Sequence, residues 1–410
     1  MRRKLMVFDI EGVLLPRNRY LIFEVGRKLS AFQFIKLLFL GLLYEVRLLS
    51  LELTFKEVYK LFQGISIEEL SDAFKEIPFL PHVEMLFAKL REMGLKTAVI
   101  SSGLPQILVE QLASQLSIDY AFGLELEVDN NAMTGSIKGE VIKKDGKALI
   151  LRRILRQENL SPKECVVVAD DRNNSSIFYQ DALKIGYRPD SAIIQKSDHV
   201  ITGDLLEILP IIKGTYGSRC RLPSRNESIR EIIHSIGFLA AFASVYMGVV
   251  EIASLLLLMA VIYAASEFVR IQWKSIPLIS YVTLNASTSS ERHEFVATPI
   301  FLALGVVLSL LLFPVPVNYA SIAIVTLGDS AASIFGRLFG NTLIPFNKGK
   351  SLEGSLGGFI FAFLGAACFL NPIQALIGAA AGMLVELLPL PINDNLSIPL
   401  VTGVLLTLLA

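Results

Sequence analysis

LMVFDIEG, residues 5–12, is a short apolar run that closes on a carboxylate. Leu5 to Ile10 has the length and composition of a buried strand ending in Asp9; Glu11 follows two residues later, and Gly12 permits a tight turn. A carboxylate in that place is aimed out of the edge of a sheet. The pattern returns twice: Ala98–Ile100 leads into Ser101, Ser102 and Gly103, and Val166–Ala169 leads into Asp170 and Asp171. Helical periodicity fills the intervals, which predicts a doubly wound α/β sheet with its site at the carboxyl ends of the strands. One strand-end aspartate is commonly a turn or cap residue. Three strands ending this way point to a site.

The composition calls for a second, different part. At 410 residues, 53% of them apolar and 19% charged, the chain is too apolar for an ordinary soluble protein and too charged to lie wholly within a membrane. Lys and Arg (38) balance Asp and Glu (38), so no basic surface is available and no nucleic-acid partner is expected. Cys165, Cys220 and Cys368 are too far apart to suggest a disulfide framework or a zinc site, and a reducing, cytosolic setting is expected for the soluble part. The basic start is followed by an apolar run that Asp9 and Glu11 cut short, so it does not read as a signal peptide.

Four segments of the first half, DIEGV (9–13), VISSG (99–103), Lys147 within KKDGKALIL (143–151) and VVVADDRNN (166–174), resemble in order the four motifs of the haloacid dehalogenase (HAD) superfamily. IDYAF (118–122) and MTGSIKGEVIKKDGK (133–147) are similar to its phosphoserine phosphatase branch, and the resemblance spans about Leu5 to Leu209. It implies a Mg²⁺-dependent phosphatase for a small phosphomonoester. Asp9 would be the nucleophile that carries an aspartyl phosphate, and Glu11 the general acid and base. Ser101 or Ser102 would hold a phosphate oxygen, and Lys147 would screen the charge between phosphate and Asp9. Asp170, Asp171 and Asn174 would join Asp9 around the metal, a hard cation that takes carboxylate oxygens. The chain departs from the branch in having Glu11 where Asp is usual and Asn174 near the last acidic position. In LPRNRY (15–20), Arg17, Asn18 and Arg19 stand where a phosphoserine phosphatase offers a carboxylate to the substrate ammonium, so phosphoserine is not the expected substrate.

Roughly residues 17–80 read as a small helical cap over this site. AFQFIKLLFLGLLY (31–44) within it is short for a membrane span and interrupted by Lys36; the core of the cap is the expected place, and a helix lying on a membrane is the alternative. The HAD-like domain is expected over 1–212, a Gly-, Pro-, Ser- and Arg-bearing linker over 213–230, and a polytopic all-α membrane domain over 231–410. Apolar runs at 235–250, 251–269, 295–314, 317–336, 354–371, 372–390 and 396–410 predict about seven transmembrane helices. Arg230, the loop with Arg270, Lys274 and Arg292, and the loop with Arg337, Lys348 and Lys350 fall on one side. The connections at Pro314–Pro316 and Asn371–Pro372 carry no basic residue, which predicts an integral membrane protein with the HAD domain and the basic loops on the cytosolic face.

Residues 328–355, GDSAASIFGRLFGNTLIPFNKGKSLEGS, put carboxylates, glycines and lysines together at the edge of an apolar segment, a mixture that hydrocarbon does not tolerate without a reason. This stretch, with ELLPLPINDNLSIPL (386–400) and the weaker match Arg230 to His234, resembles the dolichol kinase, phytol kinase and CTP-dependent diacylglycerol kinase family. The resemblance implies transfer of phosphate from CTP to a lipid alcohol such as a polyprenol, dolichol or diacylglycerol. Asp329 and Glu353 would hold Mg²⁺ on the nucleotide, and Lys348 and Lys350 would neutralise its phosphates. Gly328, Gly336, Gly340, Ser351, Gly354, Arg230 and His234 would help to bind the nucleotide, and Asp394 or Glu386 would be the base for the lipid hydroxyl. Two alternatives stay open: a cytidylyltransferase that forms a CDP-lipid, and a HAD domain with a regulatory or docking role.

Overall fold

The first half of the chain runs β1 (Leu5–Phe8), then four helices, α1 (Leu21–Gly26), α2 (Ala31–Glu45), α3 (Leu51–Leu61) and α4 (Ile67–Lys75), before α5 (Val83–Glu92) and β2 (Lys96–Pro105). It continues through α6 (Gln106–Leu116), β3 (Tyr120–Asp129), β4 (Ala132–Lys138), α7 (Gly146–Gln157), β5 (Cys165–Ala169), β6 (Leu183–Tyr187), α8 (Ser191–Lys196), β7 (His199–Ile201) and α9 (Ile208–Ile212). The computed structural model describes all residues except 1–2, 18–20, 27–28, 46–47, 180, 215–221, 272–275, 288–290 and 410. The chain forms two compact units, Met1–Thr215 and Tyr216–Ala410.

In the first unit the strands make one sheet in the order β4-β3-β2-β1-β5-β6-β7, parallel except for β4. Every residue of β1 (LMVF) and β5 (CVVVA) is buried, which is the continuous apolar reading of strands covered on both faces. β1 pairs with β2 on one side and with β5 on the other. The three strand ends singled out in the sequence are therefore neighbours at the centre of the sheet. β2 is longer than expected: Ser101, Ser102 and Gly103 lie inside it, at a shift of register between Ile100 and Pro105, rather than beyond its end.

The four helices α1–α4 occupy the predicted cap region. The β3–β4 hairpin extends to them, with Gly64 N donating to Met133 O (2.9 Å) and Ile67 N to Asn131 O (3.0 Å). Of the cap residues named from sequence, Asn18 and Arg19 lie outside the described residues.

The second unit is helical: α10 (Arg225–Ile236), α11 (Leu239–Met247), α12 (Val249–Ile271), α13 (Pro277–Ala286), α14 (Thr298–Leu312), α15 (Val317–Ala323) and α16 (Asp329–Phe339). A small ladder of β8 (Leu343–Ile344) and β9 (Asn347–Ser351) precedes α17 (Leu352–Ala367), α18 (Pro372–Leu387) and α19 (Asp394–Leu408). Among the described residues, three helical runs, Arg225–Met247, Val249–Arg270 and Val317–Phe339, are long and apolar enough to cross a membrane. α14, α17, α18 and α19 are apolar but shorter. Part of the stretch read as linker is helix: α10 begins at Arg225 because Ser224 and Glu227 form a reciprocal capping box, which satisfies two of its orphan amides. Residues 215–221 of the same stretch lie outside the described residues.

Small residues let these helices approach closely. A side chain at Gly305 would run into Asn395 O, and one at Gly403 into the Phe313 ring, so the α14–α19 crossing depends on both glycines. Gly403→Val should cost about 1–3 kcal/mol by overpacking. Thermal unfolding of the detergent-solubilised protein would read this as a lowered transition of the second unit.

Candidate active site

Asp9 leaves the end of β1 with its backbone still in the ladder, its N donating to Val168 O (3.0 Å). The chain then turns at Gly12, whose φ is +83° and whose missing side chain leaves room for the Asp170 carboxylate. Lys147, in the first turn of α7, reaches Asp9 Oδ1 at 3.0 Å and is itself almost fully buried. Its ammonium also donates to Asn174 Oδ1 (2.8 Å), while Asn174 Nδ2 donates to Asp9 Oδ2 and to Asp171 Oδ1 (2.8 Å). Asn174 thus uses both ends of its carboxamide to fasten Lys147, Asp9 and Asp171 to one another. Its place in the structure is this bracing one.

Asp9, Asp170 and Asp171 each offer a carboxylate oxygen within 4.8 Å of the others. Asp170 Oδ1 is buried and has no hydrogen-bond partner; Asp170 Oδ2 is held by Arg17 through Nε (3.0 Å) and Nη2 (2.5 Å). An orphaned buried carboxylate oxygen beside two further carboxylates fits a divalent cation. Burial and the neighbouring acids push Asp170 well up, and burial together with Asp9 pushes Asp171 up to about 6. Lys147 is raised because the surrounding acids outweigh its burial, Asp9 chief among them.

Glu11 faces the same space. Burial, reinforced by Asp9, raises its pKa to about 7, although a hydrogen bond from Ser101 Oγ to Glu11 Oε2 (2.9 Å) works the other way. Glu11 therefore holds or releases a proton near neutrality. Ser101 Oγ also accepts from Gly103 N (3.1 Å) and Leu104 N (2.9 Å), and Ser102 Oγ donates to Val141 O (2.9 Å). A side chain at Gly103 would collide with the Glu11 carboxylate, so glycine there keeps the acid in place.

Several residues at this site were not identified from sequence as part of it. Arg17, read only as a departure from a substrate-binding pattern, clamps Asp170 instead. Tyr59 of α3 donates to Gly103 O (2.8 Å), fastening the cap to the β2 irregularity. Arg172 donates to Tyr44 O (2.9 Å) and stacks on the Tyr44 ring at 4.7 Å. These contacts join segments far apart in the chain, and no local pattern announces them.

The family model for haloacid dehalogenase-like hydrolases matches residues 6–173. Over 213 residues the chain is 30% identical to the phosphoserine phosphatase of Methanocaldococcus jannaschii, covering 52% of this chain and 99% of that one. The chain belongs to the haloacid dehalogenase-like hydrolases. It is also 29% identical over 208 residues to the phosphoserine phosphatase of Archaeoglobus fulgidus, where it spans only 58% of the relative's length and 50% of its own. A solved structure of a phospho-aspartyl intermediate analogue of phosphoserine phosphatase is 29% identical, with 52% of this chain and 99% of that chain covered and a TM-score of 0.47. All of these similarities fall on the hydrolase half.

The second unit has its own polar cluster. Asp329 opens α16 directly after a π-helical turn, Ile324–Gly328, and its Oδ2 lies 3.5 Å from His234 Nδ1. Lys350 joins Glu386 (2.5 Å) and Asp394 (3.2 Å), and Asp329 is near enough to act electrostatically on Lys350, Asp394 and Arg230. Arg230 pairs with Glu231 (3.2 Å). His234 Nε2, Glu386 Oε2 and Asn395 Oδ1 are buried without a partner.

Other expected members of that cluster have structural tasks. The Glu353 carboxylate accepts from Thr342 N (3.0 and 3.1 Å), closing its own loop. Ser351 caps α17 through Gly354 N (3.2 Å). Gly328 packs against Ala362 and Met383, Gly354 against Gly336 and Ala332, and a side chain at Gly340 would meet Gly336 O. Gly328 and Gly354 thus set the spacing of helices. Lys348 is engaged in contacts of its own.

The cation site gives a direct expectation. Asp170→Asn should weaken Mg²⁺ binding at least about tenfold with the fold intact, because it removes one of three clustered carboxylates. Calorimetric titration with Mg²⁺, alongside far-UV circular dichroism, checks it.

Proposed function

We propose that the first unit is a Mg²⁺-dependent phosphomonoester phosphatase that works through an aspartyl phosphate on Asp9. The observation that carries this reading is the buried arrangement of Asp9 beside Lys147, Asn174 and two further carboxylates, one with an unpaired oxygen. A Mg²⁺ ion held by Asp9, Asp170 and Asp171 would supply positive charge to the transferring phosphoryl group. Asp9 attacks phosphorus and the bond to the leaving oxygen breaks, with Glu11 giving its proton to that oxygen. Glu11 then takes a proton from water as the water oxygen attacks phosphorus, and the bond to Asp9 breaks to release inorganic phosphate. Lys147 offsets the charge that would otherwise set phosphate against Asp9. Ser101 orients Glu11, and with it the proton transfer.

For the second unit the proposal is a membrane phosphotransferase that moves phosphate from CTP to a lipid alcohol, with about seven spans and its polar cluster on the cytosolic face. The support is the set of unpaired buried atoms on His234, Glu386 and Asn395 around the Lys350 ion pairs, next to Asp329 at a π-helical turn, since such turns recur at functional sites. Asp329 would hold the nucleotide's metal, Lys350 and Lys348 its phosphates, and Glu386 or Asp394 would accept the hydroxyl proton. Glu353 closes the loop that carries the lysines.

Asp9→Asn should lower hydrolysis of a small phosphomonoester by at least about a hundredfold while the protein still inserts into membrane and uses nucleotide, because an amide is a far poorer nucleophile. Parent-rate hydrolysis by this variant would sink the assignment. Phosphoserine, the substrate in the relatives' names, belongs in the same panel of phosphomonoesters.

For the membrane half, solubilised protein given CTP and a panel of prenyl alcohols and diacylglycerol should release CDP, and Lys350→Ala should abolish that release. Pyrophosphate in place of CDP would identify a cytidylyltransferase.

A further inference from the structure

α2 is apolar over most of its circumference, interrupted by Gln33 and Lys36. Leu37 and Leu40 are buried within the cap, yet Phe32 (78% exposed), Ile35 (65%), Leu38 (48%), Phe39 (56%) and Leu42 (57%) form one continuous open face, with Lys36 at its edge. Leu48 and Leu53, which follow the helix in sequence, are also exposed. A surface of this kind on a soluble domain is an aggregation hazard unless something covers it. This chain supplies the cover's chemistry, because its second unit has three helical runs long and apolar enough to cross a membrane. Only the dozen residues between Ile212 and Arg225 join the two units, a reach of at most about 40 Å, so a bilayer that held the second unit would be within reach of the first.

The far end of α2 leads to the reaction centre. Tyr44 Oη donates to Asn173 Oδ1, and Asn173 N and Nδ2 both donate to Asp171 (3.1 and 2.7 Å). Arg172 lies across the Tyr44 ring. A helix laid in an interface by its apolar face would therefore end against the loop that carries Asp171.

We propose that α2 lies in the surface of a lipid bilayer and that the phosphatase takes a phosphomonoester whose apolar tail stays in that bilayer. The substrate class rests on the phosphatase reading above; the docking does not. Docking is tested on the full chain in phosphatidylcholine vesicles with Phe39→Trp placed in a Trp273→Phe background, which makes it the chain's one tryptophan. Brominated phosphatidylcholine should quench this reporter, and should not quench Lys75→Trp on α4, whose side chain is exposed and polar. A reporter at 39 that is shielded from water but not quenched means that protein covers the helix. That result, or an unshielded and unquenched reporter, overturns the proposal.

The substrate class is tested with hexadecyl phosphate in vesicles against butyl phosphate in solution. The double variant Leu38→Glu/Phe39→Glu should lose at least tenfold on hexadecyl phosphate and stay within twofold on butyl phosphate. Equal loss on both, or no loss on either, overturns it. If the parent protein hydrolyses neither while the reporter at 39 is quenched, the phosphatase reading falls and the docking stands.

Discussion

The buried pair between the Lys147 ammonium and Asp9 governs the hydrolase half. Asp9, Glu11, Asp170 and Asp171 share one small volume in which, among the described residues, Lys147 and Arg17 act against them. Unpaired charge in such a place costs far more than any single contact returns. The site therefore distributes what positive charge it has. Lys147 is shared with Asp9 and Asn174, Arg17 is spent on Asp170, and Glu11 keeps its proton to near pH 7. The excess of acid that remains is the quantity a divalent cation neutralises.

That electrostatic arrangement sets steric conditions on the backbone. The Asp170 carboxylate occupies the space of a side chain at position 12, and the Glu11 carboxylate that of one at position 103. Two glycines are thus fixed by the acids next to them, and one of them turns the chain through a left-handed conformation. The cap is held by the same local logic, through Tyr59 to Gly103 O and through the β3–β4 hairpin.

The helical unit meets a related constraint with different means. Lys350 lies between Glu386 and Asp394, and Arg270 is paired with buried Glu267 (2.7 Å), so acids within the helical bundle are matched by bases. Among the described residues, His234 Nε2 and Glu386 Oε2 stay unpaired beside Asp329 and Lys350. Elsewhere glycines on α17, α18 and α19 bring the helices together at distances larger residues would prevent.

The sequence by itself determined that β1 and β5 are covered on both faces, that acids stand at their ends, and that a helical, apolar half follows. These properties depend on composition and short-range period, which a strand or an apolar helix displays locally. It also placed Asp9, Glu11, Lys147, Asp170 and Asp171 together, because parallel strands with right-handed crossovers deliver their carboxyl ends to one edge. Only the tertiary structure decided that Asn174 braces Asp9 and Lys147, that Arg17 clamps Asp170, that Glu353 closes a loop, and that Gly328 and Gly354 space helices. Each of those outcomes depends on what a side chain meets across more than ten residues of chain, and a buried donor or acceptor takes whichever partner the packing leaves it.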